Sequence, residues 1–106
     1  MILVVPISNA ADATQVTTLE GVEYTLRFRY NQREDAYYLD IADGAGVLIV
    51  GGIKLVHGRG LTQRYHFSAL PPGEFLVMSA TRETPRYGTW GDSAELWYVT
   101  SDEFAP

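Results

Sequence analysis

A chain of 106 residues is long enough to build one domain with its own core and leaves no room for a second. Its composition is that of a folded chain, 46% hydrophobic with seven Tyr, four Phe and two Trp, and the lack of any Cys excludes disulfide scaffolds, cysteine-based zinc sites, thiol nucleophiles and redox sensing. Thirteen acidic residues against eight basic ones set the net charge at −5, which opposes a general role in binding nucleic acid or an anionic membrane.

In chain order, Met1-Ile2-Leu3-Val4-Val5-Pro6 is a short apolar run without the basic segment or small-residue cleavage site of a secretory signal, and it reads as a strand. Thr14 to Leu19 is β-branched and meets the next segment across Glu20-Gly21, a hairpin turn. From Val22 to Tyr30 the alternation is strict. Val22, Tyr24, Leu26, Phe28 and Tyr30 share one face, and Glu23, Thr25, Arg27 and Arg29 share the other, the pattern of a half-buried strand. The polar run Asn31 to Asp35 then leads to Tyr37, Leu39 and Ile41 alternating with Tyr38, Asp40 and Ala42, so a hairpin with a loop of four or five residues is expected.

Asp43-Gly44-Ala45-Gly46 is a further turn before the apolar run Val47 to Val50. Gly51-Gly52 interrupts that run ahead of Ile53 to Val56, the mark of a bulge or a sharp bend. After the turn His57 to Gly60, a strand is expected over Leu61 to Ala69. Leu70-Pro71-Pro72-Gly73 ends it, Phe75 to Ala80 begins another, Thr81 to Gly88 is irregular, and Ala94 to Thr100 is the last strand. The longest later apolar stretch, Ala45 to Ile53, is less than half a bilayer span and holds three glycines, so the protein is expected to be soluble. Helical spacing of apolar residues is nowhere sustained. The chain is expected to be a single all-β domain over residues 1–106, a small antiparallel β-barrel or β-sandwich of about seven to eight short strands.

The charge is unevenly distributed. Residues 1–26 carry three acids and no base, residues 87–106 four acids and no base, and all eight bases lie between Arg27 and Arg86 with six acids, so the charge splits as −3, +2 and −4. Solvated surface is one explanation, and an oriented module whose ends face basic partners is the other.

No pattern of catalytic or cofactor chemistry stands out. His57 and His66 are neither in a metal-binding spacing nor near a carboxylate in a metal-site pattern. Gly91-Asp92-Ser93-Ala94-Glu95 lacks the second glycine of a nucleophile elbow, and Gly44-Ala45-Gly46 lacks the third glycine and the helix of a dinucleotide fingerprint. Of the neighbouring carboxylates Glu34, Asp35 and Asp40, the first two sit in a hairpin loop, where solvent keeps them ordinary. Arg27, Arg29, Arg33 and Arg64 could form a basic strip, but no aromatic stripe accompanies them. No enzyme activity, metal or cofactor is therefore expected. Among the aromatic residues Trp90, in a Gly-rich loop, is the candidate for an exposed contact.

The hairpin Tyr24-Thr25-Leu26-Arg27-Phe28-Arg29-Tyr30-Asn31, followed by Arg33 and Tyr37-Tyr38-Leu39-Asp40-Ile41, resembles the small plug proteins of contractile-tail phage baseplates, the cyanophage baseplate plug family. Gln15 before Leu19-Glu20-Gly21, Gly51-Gly52 before Ile53-Lys54-Leu55-Val56, Pro72-Gly73 before a strand, and Gly91 before Leu96-Trp97-Tyr98-Val99 agree with it in order. The resemblance spans roughly Gln15 to Val99, with Tyr37 standing where the family is expected to carry Trp, and Trp90 where it is expected to carry Leu. It implies a non-enzymatic virion structural protein, made in the host cytoplasm and built into the tail baseplate. There it would pack against hub and tail tube proteins in several copies, as a plug in or beside the central channel. Asn31 and Arg33 are the positions it offers for contact, beside the plainer reading that Asn31 caps the hairpin turn and Arg33 is solvated. The alternative is a stand-alone β module that binds carbohydrate or a protein partner through exposed aromatics such as Trp90.

Overall fold

The computed structural model describes residues 2–7, 12–58, 60, 61, 71–80, 82, 85, 90 and 94–101. Among them are seven strands: β1 (Ile2–Val5), β2 (Asp12–Leu19), β3 (Val22–Asn31), β4 (Ala36–Asp43), β5 (Leu48–Lys54), β6 (Glu74–Ser79) and β7 (Ala94–Val99). They form two antiparallel sheets, one of order β2-β3-β4-β5 and one of order β1-β7-β6. The fold is all-β as expected, and of the two architectures considered it is the sandwich, since the two sheets do not close into a barrel. The strand expected over Leu61 to Ala69 lies, apart from Leu61, outside the described residues.

The four-stranded sheet is a meander built from adjacent hairpins, which is why its sequence signals are local. β2 and β3 turn on Glu20 (φ 52°) and Gly21 (φ 83°), both left-handed, in the two-residue geometry that matches strand twist. Leu26, Phe28, Leu39 and Ile41 point inward and are buried, while Arg27 and Arg29 point outward and are exposed. The β3–β4 loop has four residues between the paired Asn31 and Ala36. In β4–β5, Leu39 faces Ile53 and Ile41 faces Val50, so Asp40 alone stands opposite Gly51-Gly52. That is the bulge expected from the glycine pair. The Gly52 N–H, which the bulge removes from the ladder, donates instead to Asp40 Oδ1 at 2.9 Å.

In the three-stranded sheet β7 is central, pairing with β1 from Ile2↔Val99 to Val5↔Leu96 and with β6 from Glu74↔Val99 to Ser79↔Ala94. Its inward residues Ala94, Leu96 and Tyr98 meet Val5, Phe75 and Val77, and all are buried with the inward face of the other sheet in one core. Burying these side chains from water is the main force holding the sheets face to face.

The sheets are also tied along their sides. After β5 the Leu55 N–H donates to Tyr37 O at 2.9 Å on the first sheet, then the Gly58 N–H to Val77 O at 2.9 Å and the Leu61 N–H to Phe75 O at 3.1 Å on the second. The chain thus carries backbone hydrogen bonding from one sheet edge to the other, which covers both edges. On the opposite side Gln15 Nε2 donates to Pro6 O at 2.7 Å, linking β2 to the segment after β1.

Candidate functional site

The β3–β4 hairpin holds two of the three residues singled out as contact candidates. Asn31 Oδ1 accepts the N–H of Arg33 at 3.0 Å and of Glu34 at 3.2 Å, so Asn31 shapes the loop as a cap. Arg33 is exposed at the tip, and both residues line an open depression with Arg29, Gln32 and Tyr38. Tyr30 OH donates at 2.6 Å to Oδ1 of Asp35, a loop residue itself held at φ 51°. Tyr38 OH donates to the Glu34 carboxylate, which raises the Tyr38 pKa, and Lys54 Nζ lies 3.8 Å from the same carboxylate.

Trp90 is not on the surface. It is 4% exposed and packs edge-on to Tyr37, with ring centroids 5.7 Å apart, and Tyr37 in turn meets Tyr30 at 5.2 Å. The expectation of an accessible indole is corrected accordingly. A residue in a glycine-rich stretch carries no alternation that would reveal its direction, and a side chain of this size is stabilised by burial wherever the core can admit it. The three candidates are nevertheless connected, because the stack Trp90–Tyr37–Tyr30 lies beneath the base of the hairpin that presents Asn31 and Arg33. Tyr37 and Trp90, far apart in the sequence, thus touch each other.

The carboxylates considered for chemistry are all engaged. Glu34 and Asp35 bind the tyrosines of the hairpin, and Asp40 Oδ1 accepts from Arg29 at 2.9 Å and from the bulge N–H. Arg27 makes two hydrogen bonds to Asp12, at 2.6 and 3.1 Å, which hold the Asp12 carboxyl below its usual range. Within the basic strip Arg27 and Arg29 are therefore paired, Arg33 is exposed at the hairpin tip, and Arg64 lies outside the described residues. His57 Nδ1 accepts the Ser79 N–H at 3.0 Å, a role between the sheets, whereas His66 is outside the described residues. Among the described residues no three His, Asp or Glu side chains are grouped as a metal ion would need, and no helix is long and apolar enough to cross a membrane.

One polar cluster escaped the sequence reading. Tyr98 OH donates to Glu20 Oε2 and accepts the Gly73 N–H at 2.7 Å, and the Ser101 N–H donates to Glu20 Oε1 at 3.1 Å. A glutamate is an uncommon occupant of a left-handed turn position, and here its carboxylate bonds to residues 78 and 81 positions away. Burial, reinforced by the hydrogen bond to Glu20, pushes the Tyr98 hydroxyl pKa well above its ordinary value. A group whose pKa is raised in the folded state stabilises the fold fully below its unfolded pKa and loses that contribution as pH rises past it. Stability is therefore expected to fall above about pH 10, the ordinary range of tyrosine. In Tyr98→Phe the alkaline fall should be shallower, and stability at pH 7 should be lower by about 1–3 kcal/mol because the Gly73 N–H and the carboxylate lose a partner. Urea titrations of both proteins at pH 7 and pH 10.5 read this directly, and parallel pH profiles would refute it.

The two outer faces differ. On the four-stranded sheet Asp12, Arg27, Arg29 and Asp40 surround a cross-strand row of Val16, Thr25, Ala42 and Leu48. On the three-stranded sheet the outward residues are mostly apolar, with Val4, Trp97 and Leu76 directly in register. Among the described residues, the ionisable groups on the first face are paired as Arg27–Asp12 and Arg29–Asp40, and those carried by the strands of the second are Glu74 and Glu95. In comparison with known proteins, the family model described as "Cyanophage baseplate Pam3 plug gp18" matches residues 2–102. No curated protein matches the chain.

Proposed function

Because the chain belongs to the cyanophage baseplate plug family, we propose that it is a non-enzymatic structural component of a phage tail baseplate, packed against tail tube and hub proteins in several copies. The observation that carries this is the match over residues 2–102, which takes in all the strands among the described residues and both sheets together. The physics of the molecule supports it. The edges of the two sheets are tied to each other on both sides, the core is continuous, and the polar groups considered for catalysis are occupied in holding turns and strands. Such a module acts by presenting a fixed surface, and repeated copies in a ring or hub make many individually modest contacts.

Within this reading Arg33 is the side chain the hairpin offers to a neighbour, Asn31 sets the loop that displays it, and Trp90 acts indirectly by supporting the hairpin base. The protein is made in the host cytoplasm and ends in the virion tail. The test is co-purification. Tails or baseplates assembled from the native locus, washed and analysed by mass spectrometry, are expected to contain this chain in fixed stoichiometry. Its absence from intact particles would overturn the proposal.

A further inference from the structure

The outer face of the three-stranded sheet breaks the rule that antiparallel sheets turn polar side chains to solvent. Ile2 is 52% and Val4 54% exposed, and Trp97, Leu76 and Met78 are half-buried on the same face. The charged residues of the three strands are Glu74 and Glu95, and none of the strands carries a base. This is the spatial form of the charge asymmetry in the sequence. β1 and β7 come from the two segments that lack any Lys or Arg, and the fold sets them side by side.

We propose that this face is the docking surface for a neighbouring baseplate protein that offers an apolar strip flanked by Lys or Arg, an inference that rests on the structural role proposed above. Charge selects that occupant over a second copy of the chain. Two such faces meeting each other would bring acidic residues together. The opposite sheet of a second copy offers Arg27, Arg29 and Lys54 already paired with Asp12, Asp40 and Glu34, and its exposed Arg33 is a single base at a polar loop tip, not one flanking an apolar strip. Area leads to the same choice. Three strands of four to six residues span roughly 300 Å² at ordinary strand spacing, well short of the roughly 800 Å² per partner of a stable pair. By itself the face is too small to hold a stable pair, so it adds to other contacts in an assembly.

The experiment places Val4→Lys, Leu76→Lys and Glu95→Lys singly in the native locus and measures the chain's content in purified tails, with circular dichroism of each purified variant as the check on folding. Leu48→Lys, on the other sheet, is the comparison. The expected result is folded variants whose incorporation falls at least tenfold for Val4→Lys and Leu76→Lys and several-fold for Glu95→Lys, with Leu48→Lys retained. Normal incorporation of folded Val4→Lys and Leu76→Lys overturns the inference, as does an equal loss in Leu48→Lys. Sedimentation of the wild type as an oligomer that Val4→Lys dissolves overturns the assignment of the occupant. Absence of the wild type from tails is the failure of the structural role itself, and so the two failures are distinguished.

Discussion

Gly73→Ala is expected to destabilise the protein by about 3 kcal/mol or more, the upper range for forcing an atom into a packed site. A Cβ at this position would stand 2.2 Å from the Val99 carbonyl oxygen and 2.6 Å from both Cζ and the hydroxyl of Tyr98. Neither neighbour can retreat cheaply. Val99 is paired on both sides as part of the central strand β7, and the Tyr98 hydroxyl is fixed between Glu20 and the Gly73 N–H. Gly46→Ala supplies the scale, since nothing lies within 4 Å of its Cβ and only its φ of +87° is unfavourable. That substitution should cost about 1 kcal/mol. Urea denaturation of the two variants gives the comparison, and a Gly73→Ala midpoint no lower than that of Gly46→Ala would refute the steric argument.

Trp90→Ala is expected to lose about 3–5 kcal/mol, the range for removing a large aromatic side chain from a core. The loss should be local as well as global. Without the indole, Tyr37 and then Tyr30 lose their support, and hydrogen exchange of the amides of residues 31–36 should quicken before the rest of the four-stranded sheet responds. A Trp90→Ala protein of wild-type stability would return the residue to the role of a surface contact. The same pair allows a sharper test. Tyr37→Trp with Trp90→Leu exchanges the bulk between two touching residues, so the double variant should be less destabilised than the sum of the singles by about 1 kcal/mol. Strict additivity would mean that the contact carries no coupling.

How much of this was legible in the residues follows from how local each signal is. Strand β3 shows itself by alternation because Tyr24, Leu26 and Phe28 must bury one face while Arg27 and Arg29 reach water. The Glu20-Gly21 turn and the bulge at Gly51-Gly52 are likewise written in adjacent residues. The division into two sheets is not, because it depends on β1 pairing with β7 and on the hydrogen bonds of Leu55, Gly58 and Leu61 to different sheets. Pro71-Pro72-Gly73 announces the end of a strand, yet nothing in it tells that a carbonyl oxygen will press on the glycine. The bond from Tyr98 to Glu20 joins residues that share no motif, and the direction of Trp90 is set by a Tyr37 far away in the sequence. Contact candidates suffer most, because exposure is decided by long-range packing.

The pairing of β1 with β7 also has a consequence in time. The four-stranded sheet joins each strand to its sequence neighbour, whereas Ile2 must wait for Val99, almost the whole chain later. Loop closure of that length is entropically costly before any contact rewards it, so the meander is expected to form the folding nucleus and β1 to dock last. Val5→Ala should then speed unfolding and leave the refolding rate nearly unchanged, while Leu26→Ala slows refolding; equal effects on refolding would contradict this order. During synthesis the row Val4–Trp97–Leu76 does not exist until the final strand has emerged, so an unfinished chain has no such face to present to its neighbours.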